Sequence, residues 1–163
     1  SRGGGSTLVA KIDVDSSVIV KWFKKGEEFE KEMLRLRDDA LSGVISLVMS
    51  EWVYLEVVRA LVKAGFPEAS VAQVYDTLRE MADLGFIEVV PVSKVLDKAK
   101  ELEIKLKLYA LDAVNLVSAL ANSVNMLTED KHLLGKSMRN IVEKLGLRIL
   151  WLKDFYGSGF KQV

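Results

Sequence analysis

Five short apolar runs, "LVAKIDV", "VISLV", "FIEVVPV", "VNMLT" and "LRILWL", recur along the chain with helix-length segments between them. Nearly continuous apolar runs of this length read as strands buried on both faces, and strands kept apart by helices are joined by crossovers rather than hairpins. The pattern predicts an α/β domain with a central, mainly parallel five-stranded sheet covered by helices on both faces. In an open sheet of this type the ligand site lies outside the carboxyl ends of the strands.

The first strand is expected over about residues 8–14. "SSVIVKWF" then continues as a short apolar helix with Ser16 or Ser17 at its N-cap. "EEFEKEMLRLRDDALS" reads as an amphipathic helix closed by Gly43. The helix after the second strand runs from a Ser50 cap to a Gly65 stop, and the next opens at Pro67 and Glu68 and ends again in glycine. "SKVLDKAKELEIKLK", "LYALDAVNLVSALANS" and "DKHLLGKSMRNIVEKLG" complete the helical set, and the tail "KDFYGSGFKQV" carries no assignment. The opening "SRGGGS" has no apolar core for a signal peptide and looks like a cloning remnant. The expected division is residues 1–7 as that remnant or a disordered N-terminus, 8–155 as one domain, and 156–163 as a tail.

Several function classes fall away on composition. The chain of 163 residues carries 23 Lys+Arg against 23 Asp+Glu, so any nucleic-acid role must rest on a local patch rather than a general basic field. With no cysteine, zinc ribbons, thiol catalysis and disulfide scaffolds are excluded, and a reducing cytoplasm is the expected compartment. The single histidine, His132, cannot support a multi-histidine metal site. No apolar run approaches the ~20 residues of a membrane span.

The informative residues are acids. Asp13 and Asp15 are two apart in a strand and so share a face. Asp15, at the strand end, is either a helix cap or a site carboxylate. Asp13, further inside, is costly unless hydrogen-bonded or paired, and reads as a supporting or structural acid. Glu56 sits in the apolar context "WVYLEVVRAL", where it either faces a buried partner or pairs at the surface with Arg59. Glu51 is rotated from it by roughly 140° and reads as a first-turn acid facing the helix dipole. Asp112 is an acid in an apolar helix or the cap that starts it. Asp130 shares a face with Thr128 at the end of "VNMLTED", where a plain strand-to-helix turn is the alternative. Two strand-end aspartates and two acids in apolar helices are the donors that hard divalent cations take. Gathered without a cation, they would repel and take up protons.

"DVDSSV" resembles the Asp-x-Asp motif of haloacid-dehalogenase-type phosphatases, which would make Asp13 a nucleophile and Asp15 its general acid with Mg²⁺ as cofactor. That match is short and leaves Glu56 and Asp112 without a role. A second resemblance covers nearly the whole chain. "DSSVIVKWF", "LEVVRAL", "LYALDAVNLVSALANSVNMLTEDKHLL" and "LRILWL" look like the successive blocks of PIN-domain ribonucleases, particularly VapC-type toxins. Asp15 with Ser17, Glu56, Asp112 with Ala113, and Thr128 with Asp130 match the family's acids in order.

This resemblance implies a Rossmann-like three-layer α/β/α sandwich and hydrolysis of RNA dependent on one or two Mg²⁺ or Mn²⁺ ions. Asp15, Asp112 and Asp130 would hold the metal. Glu56 would ligate it or deprotonate the attacking water, with Ser17 and Thr128 as supporting hydroxyls. It also implies a homodimer and a cognate antitoxin protein; helices bearing Trp22, Trp52 and Tyr54 could offer apolar surface for them, with core packing the more ordinary use of each aromatic. Lys21, Lys24, Lys25, Lys131, His132, Lys136 and Arg139 flank the motifs as phosphate-contact candidates beside their plain reading as surface charge; Lys21, Lys131 and Arg139 are the foremost of them. The long segment from about 24 to 43 and the tail depart from the toxin pattern and leave a housekeeping RNA-processing nuclease as an alternative. A non-catalytic α/β binding domain, in which the four acids lie apart, is the remaining one.

Overall fold

The computed structural model describes residues 10–157. The expected N-terminal remnant, the start of the expected first strand and most of the expected tail lie outside the described residues. Five strands form one sheet: β1 (Ala10–Val14), β2 (Ile45–Ser50), β3 (Ile87–Val90), β4 (Asn125–Leu127) and β5 (Ile149–Leu150). All neighbours are parallel, in the order β3-β2-β1-β4-β5. Between and after them run α1 (Ser16–Ile19), α2 (Glu30–Leu41), α3 (Val53–Lys63), α4 (Glu68–Asp83), α5 (Leu96–Leu106), α6 (Ala110–Ala121), α7 (Lys136–Lys144) and α8 (Leu152–Gly157).

The two-residue period of the strands divides the core in two. Ile12, Val14, Leu47 and Met49 pack with Met33 and Leu36 of α2, Val57 of α3 and Leu78 of α4. Val48 and Met126 face the other way, toward Leu102 of α5, Leu116 of α6 and Val142 of α7. The result is the expected three-layer sandwich. Each layer removes a continuous apolar surface from water at ~25 cal/mol per Å².

Chain order fixes where a ligand can sit. From β1 the chain moves outward through β2 to β3, then returns to place β4 on the other side of β1. The order therefore reverses between β1 and β4. Crossovers leaving a shared start in opposite directions open a crevice at the carboxyl ends of those two strands. Asp15 follows β1 and Asp130 lies just beyond β4.

Local differences from the expected elements have simple causes. Asp15, not Ser16 or Ser17, caps α1: its backbone is extended and its side chain accepts the Ser17 amide. The helix then tightens into a 3-10 turn at Val20–Trp22. Ser50 is two positions too early to cap α3, whose cap is Trp52; the Ser50 hydroxyl instead accepts the Trp52 amide at 3.2 Å. The segment before α7 forms turns, and the helix begins only at Lys136 after Gly135. Gly65 ends the α3 segment with φ +82, a backbone conformation that costs a residue with a Cβ.

The beginning of the tail is structured. α8 buries Phe155 and Tyr156 in the α2-side core, and the Tyr156 hydroxyl donates to Asp39 Oδ2 at 2.9 Å. The Arg35 guanidinium lies 4.4 Å from the centre of the same ring. Tyr156→Phe keeps the packing and removes the hydrogen bond. It is expected to cost about 1 kcal/mol in urea unfolding, with an unchanged m value.

Candidate active site

The crevice is built around one buried carboxylate. Asp15 is only 3% exposed, and its Oδ1 accepts the Ser17 amide at 3.1 Å and the Ser17 hydroxyl at 2.5 Å. Its Oδ2 accepts the hydroxyl of Thr128, a residue with no exposed surface. Both hydroxyls are used twice. Ser17 Oγ accepts the Glu129 amide at 2.8 Å, and Thr128 Oγ1 accepts the Asp130 amide at 3.0 Å. With its lone pair facing an N–H, each hydroxyl directs its proton to Asp15. The ends of β1 and β4 are thereby locked together.

Glu56 enters from the first turn of α3. Ser16 Oγ donates to its Oε2 at 3.1 Å, and Asn115 Nδ2 of α6 donates to its Oε1 at 3.3 Å. Its partners are thus across the crevice rather than at Arg59. Asp112 is the third residue of α6, whose cap is Tyr109, and its Oδ2 lies 3.7 Å from His132 Nε2. Asp130 Oδ1 accepts the His132 amide at 2.9 Å.

These acids feel one another. Burial raises Glu56 to about 7 against its hydrogen bonds from Asn115 and Ser16, and the charges of Asp15 and Asp112 raise it further. Burial likewise lifts Asp15 to about 6; the Ser17 and Thr128 hydrogen bonds hold it down while Asp130 pushes it up. Asp112 is raised by burial and then by Asp130, with His132 opposing. Four carboxylates from four strand-to-helix or loop-to-helix junctions therefore share a single electrostatic site.

As the side chains stand, no three His, Cys, Asp or Glu groups among the described residues form a chelating cluster. The donor chemistry nevertheless fits Mg²⁺ or Mn²⁺. All four groups are carboxylates, and their mutual repulsion is the energy that a divalent cation would relieve.

The structure separates the remaining candidates. Asp13 is 1% exposed on the sheet face opposite α2, in register with Val48 and Met126, and neither carboxyl oxygen has a hydrogen-bond partner. Burial, then the charge of Asp15, pushes it well above the usual carboxylate range. A carboxyl buried this completely offers no oxygen to an incoming phosphoryl group, which goes against the phosphatase assignment of Asp13 as nucleophile. Glu51 is not a first-turn acid of α3: it precedes the Trp52 cap, and its Oε1 accepts the amide of the distant Val92, after β3, at 2.7 Å.

Lys21, Lys24 and Lys131 line a cleft of about 340 Å³ with Ser17, Glu129 and Trp151, next to Asp15. Lys21 is already engaged there by the Glu28 carbonyl at 3.2 Å and by Glu27 at 3.8 Å. Arg139 and Lys136 lie elsewhere. They border a larger cavity with Lys11, Asn125 and Arg148 at the amino ends of the strands, and Arg139 donates to Ile149 and Asp154. Trp22 and Tyr54 are core residues, whereas Trp52 is 42% exposed.

Ser16 and Asn115 did not stand out in the sequence. Asn115 carries one usable signal, since it lies three residues after Asp112 and thus on the same helical face.

The sequence matches the family model of the PIN domain over residues 12–136. Among solved structures, the fold resembles a toxin–antitoxin complex from Klebsiella pneumoniae at 15% identity and a TM-score of 0.52, covering 93% of this chain and 98% of that one. It also resembles FitAcB from Neisseria gonorrhoeae at 13% identity and a TM-score of 0.52, covering 85% and 96%. No curated protein sequence matches the chain.

Proposed function

The chain belongs to the PIN-domain family, and from that premise we propose that it is a ribonuclease using Mg²⁺ or Mn²⁺ to hydrolyse RNA phosphodiester bonds, the toxin of a VapBC-type toxin–antitoxin pair. The carrying observation is the convergence of Asp15, Glu56, Asp112 and Asp130 on the crevice between β1 and β4, where the charges of Asp15 and Asp112 raise Glu56 and that of Asp130 raises Asp15 and Asp112.

Asp15, Asp112 and Asp130 are the residues that would hold the cation. When bound, a divalent cation supplies acidification of water and neutralisation of charge on the phosphoryl oxygens. Glu56 supplies the proton acceptor. A carboxylate held near 7 is matched to taking a proton from water at neutral pH, as one near 4.5 is not. Ser16 and Asn115 fix the two Glu56 oxygens, and Ser17 and Thr128 fix those of Asp15, so neither carboxylate must reorganise.

The experiment is cleavage of single-stranded RNA by protein freed of metal. No cleavage is expected in EDTA, with recovery on adding Mn²⁺ or Mg²⁺. Binding should release protons, because Asp15 is partly protonated near neutrality and ligates only when ionised, and a cation beside Glu56 favours its ionised form. Apparent Mn²⁺ affinity should therefore rise with pH between about 5.5 and 7.5, as read by calorimetry in two buffers. Cleavage that persists undiminished in EDTA would sink the reading.

The toxin assignment draws on the toxin–antitoxin complex from Klebsiella pneumoniae, a structure of similar fold. It entails a cytoplasmic protein, a homodimer, and a protein antitoxin that covers the acid site. Induced expression should arrest growth, and co-expression of the neighbouring small gene should relieve the arrest. A housekeeping RNA-processing nuclease would be tolerated without a partner.

A further inference from the structure

Two aromatic rings stand at the rim of the acid site. Tyr109, the cap residue of α6, is 73% exposed, and its ring centre lies 5.6 Å from that of His132, with 49° between the planes. The His132 side chain is itself 58% exposed. The backbone holds both rings in place. The Tyr109 carbonyl accepts the Ala113 amide at 3.0 Å in the first turn of α6, and the His132 amide is tied to Asp130 at 2.9 Å. His132 Nε2 also lies 3.7 Å from Asp112 Oδ2, so the pair is bracketed by two acids of the site.

A tyrosine left this exposed has most of its ring face in water, although it sits on an ordered helix start rather than a loop tip. Core packing does not account for it. The site has few cations to bind a polyanion, Lys131 in the adjoining cleft being one. Its floor is acidic, the chain has no net charge, and the adjacent lysines Lys21 and Lys24 are paired with Glu27. Counterion release can therefore supply little of the binding of RNA, and contacts to bases must supply more.

We propose that Tyr109 and His132 form a nucleobase platform, stacking the base of an unpaired nucleotide next to the phosphate engaged at the acid site. This rests on the ribonuclease reading above. Stacking is tolerant of sequence but stronger for larger ring systems, so the platform also gives a purine preference at one nucleotide flanking the cut.

The test is steady-state kinetics on short single-stranded RNAs in which one nucleotide at a time is replaced by an abasic ribose. Tyr109→Ala is expected to raise KM by about 5- to 150-fold with kcat within about threefold, and Tyr109→Phe to restore it. His132→Ala should act in the same direction. At one flanking position the abasic change should cost the wild type a similar factor and cost Tyr109→Ala almost nothing, since the contact is already gone.

Unchanged KM in Tyr109→Ala, or an abasic penalty equal in both proteins at every position, overturns the platform while leaving the nuclease standing. If the wild type cleaves no RNA, the ribonuclease reading fails. The platform is then decided by 2-aminopurine oligonucleotides: quenching by wild type but not by Tyr109→Ala upholds it, and absence of quenching ends it.

Discussion

Asp15→Asn is expected to slow RNA cleavage by about a thousandfold while the protein stays folded. The substitution keeps the shape of the side chain but replaces one carboxylate oxygen with a donor. Both Asp15 oxygens now accept from hydroxyls that are themselves fixed by the Glu129 and Asp130 amides. The new amide group must face one of those hydroxyl protons, so the lock between β1 and β4 loosens where geometry matters most. The negative charge nearest the crevice floor is lost as well. In the absence of metal this loss relieves repulsion on Glu56, so thermal stability at pH 7 should change by no more than about 1 kcal/mol. Initial rates in Mn²⁺, beside a circular dichroism melt, check both halves. Activity within a few-fold of wild type would remove Asp15 from the site.

Asp13→Val should make the protein more stable, by about 1–3 kcal/mol at pH 8, which corresponds to a rise in Tm of about 2–4 °C per kcal/mol for a chain of this size. Asp13 is a buried carboxyl without a hydrogen-bond partner, in register with Val48 and Met126, where a branched apolar side chain fits the surroundings. The pH dependence has a definite sign. Its folded pKa is raised, so its contribution is fully present below the unfolded value of about 4 and is lost as pH rises toward the folded one. Asp15 and Glu56, at about 6 and 7, add the same trend between about pH 4 and 7. Wild-type protein in EDTA should therefore melt at a higher temperature at pH 5 than at pH 8. Saturating Mn²⁺ should remove the part due to Asp15 and Glu56 and leave that due to Asp13. Destabilisation by Asp13→Val would mean that the carboxyl has a structural task.

The sheet was legible because its strands are buried on both faces and are therefore apolar almost throughout, as in "VISLV". The helices were legible because their stops, such as Gly65 and Gly85, need a left-handed backbone. From this frame the placement of Asp15 and Asp130 at one crevice follows by topology. The supporting shell does not. Ser16 and Asn115 meet Glu56 across 40 and 59 residues of sequence, and a serine or asparagine in a helix looks the same whether it faces a carboxylate or water. Arg139 shows the converse. Basic residues near a motif in sequence can lie at either end of a strand, and α7 carries this one toward the amino ends, where it binds the Ile149 carbonyl. Asp13 was recognisable as buried from its place inside an apolar strand, but only the packing shows that nothing answers it.

The bond between Thr128 and Asp15 joins residues 113 positions apart, and β4 is the strand that lies beside β1. During synthesis at about 5–20 residues per second, roughly 6–23 seconds separate the appearance of Asp15 from that of Asp130. Until then the growing chain has β1 and β2 but no far wall to the crevice, and Asp15 has the Ser17 hydroxyl without that of Thr128. If the acid site cleaves RNA as proposed, a nascent chain on the ribosome lacks its full set of acids until Asp130 has been made.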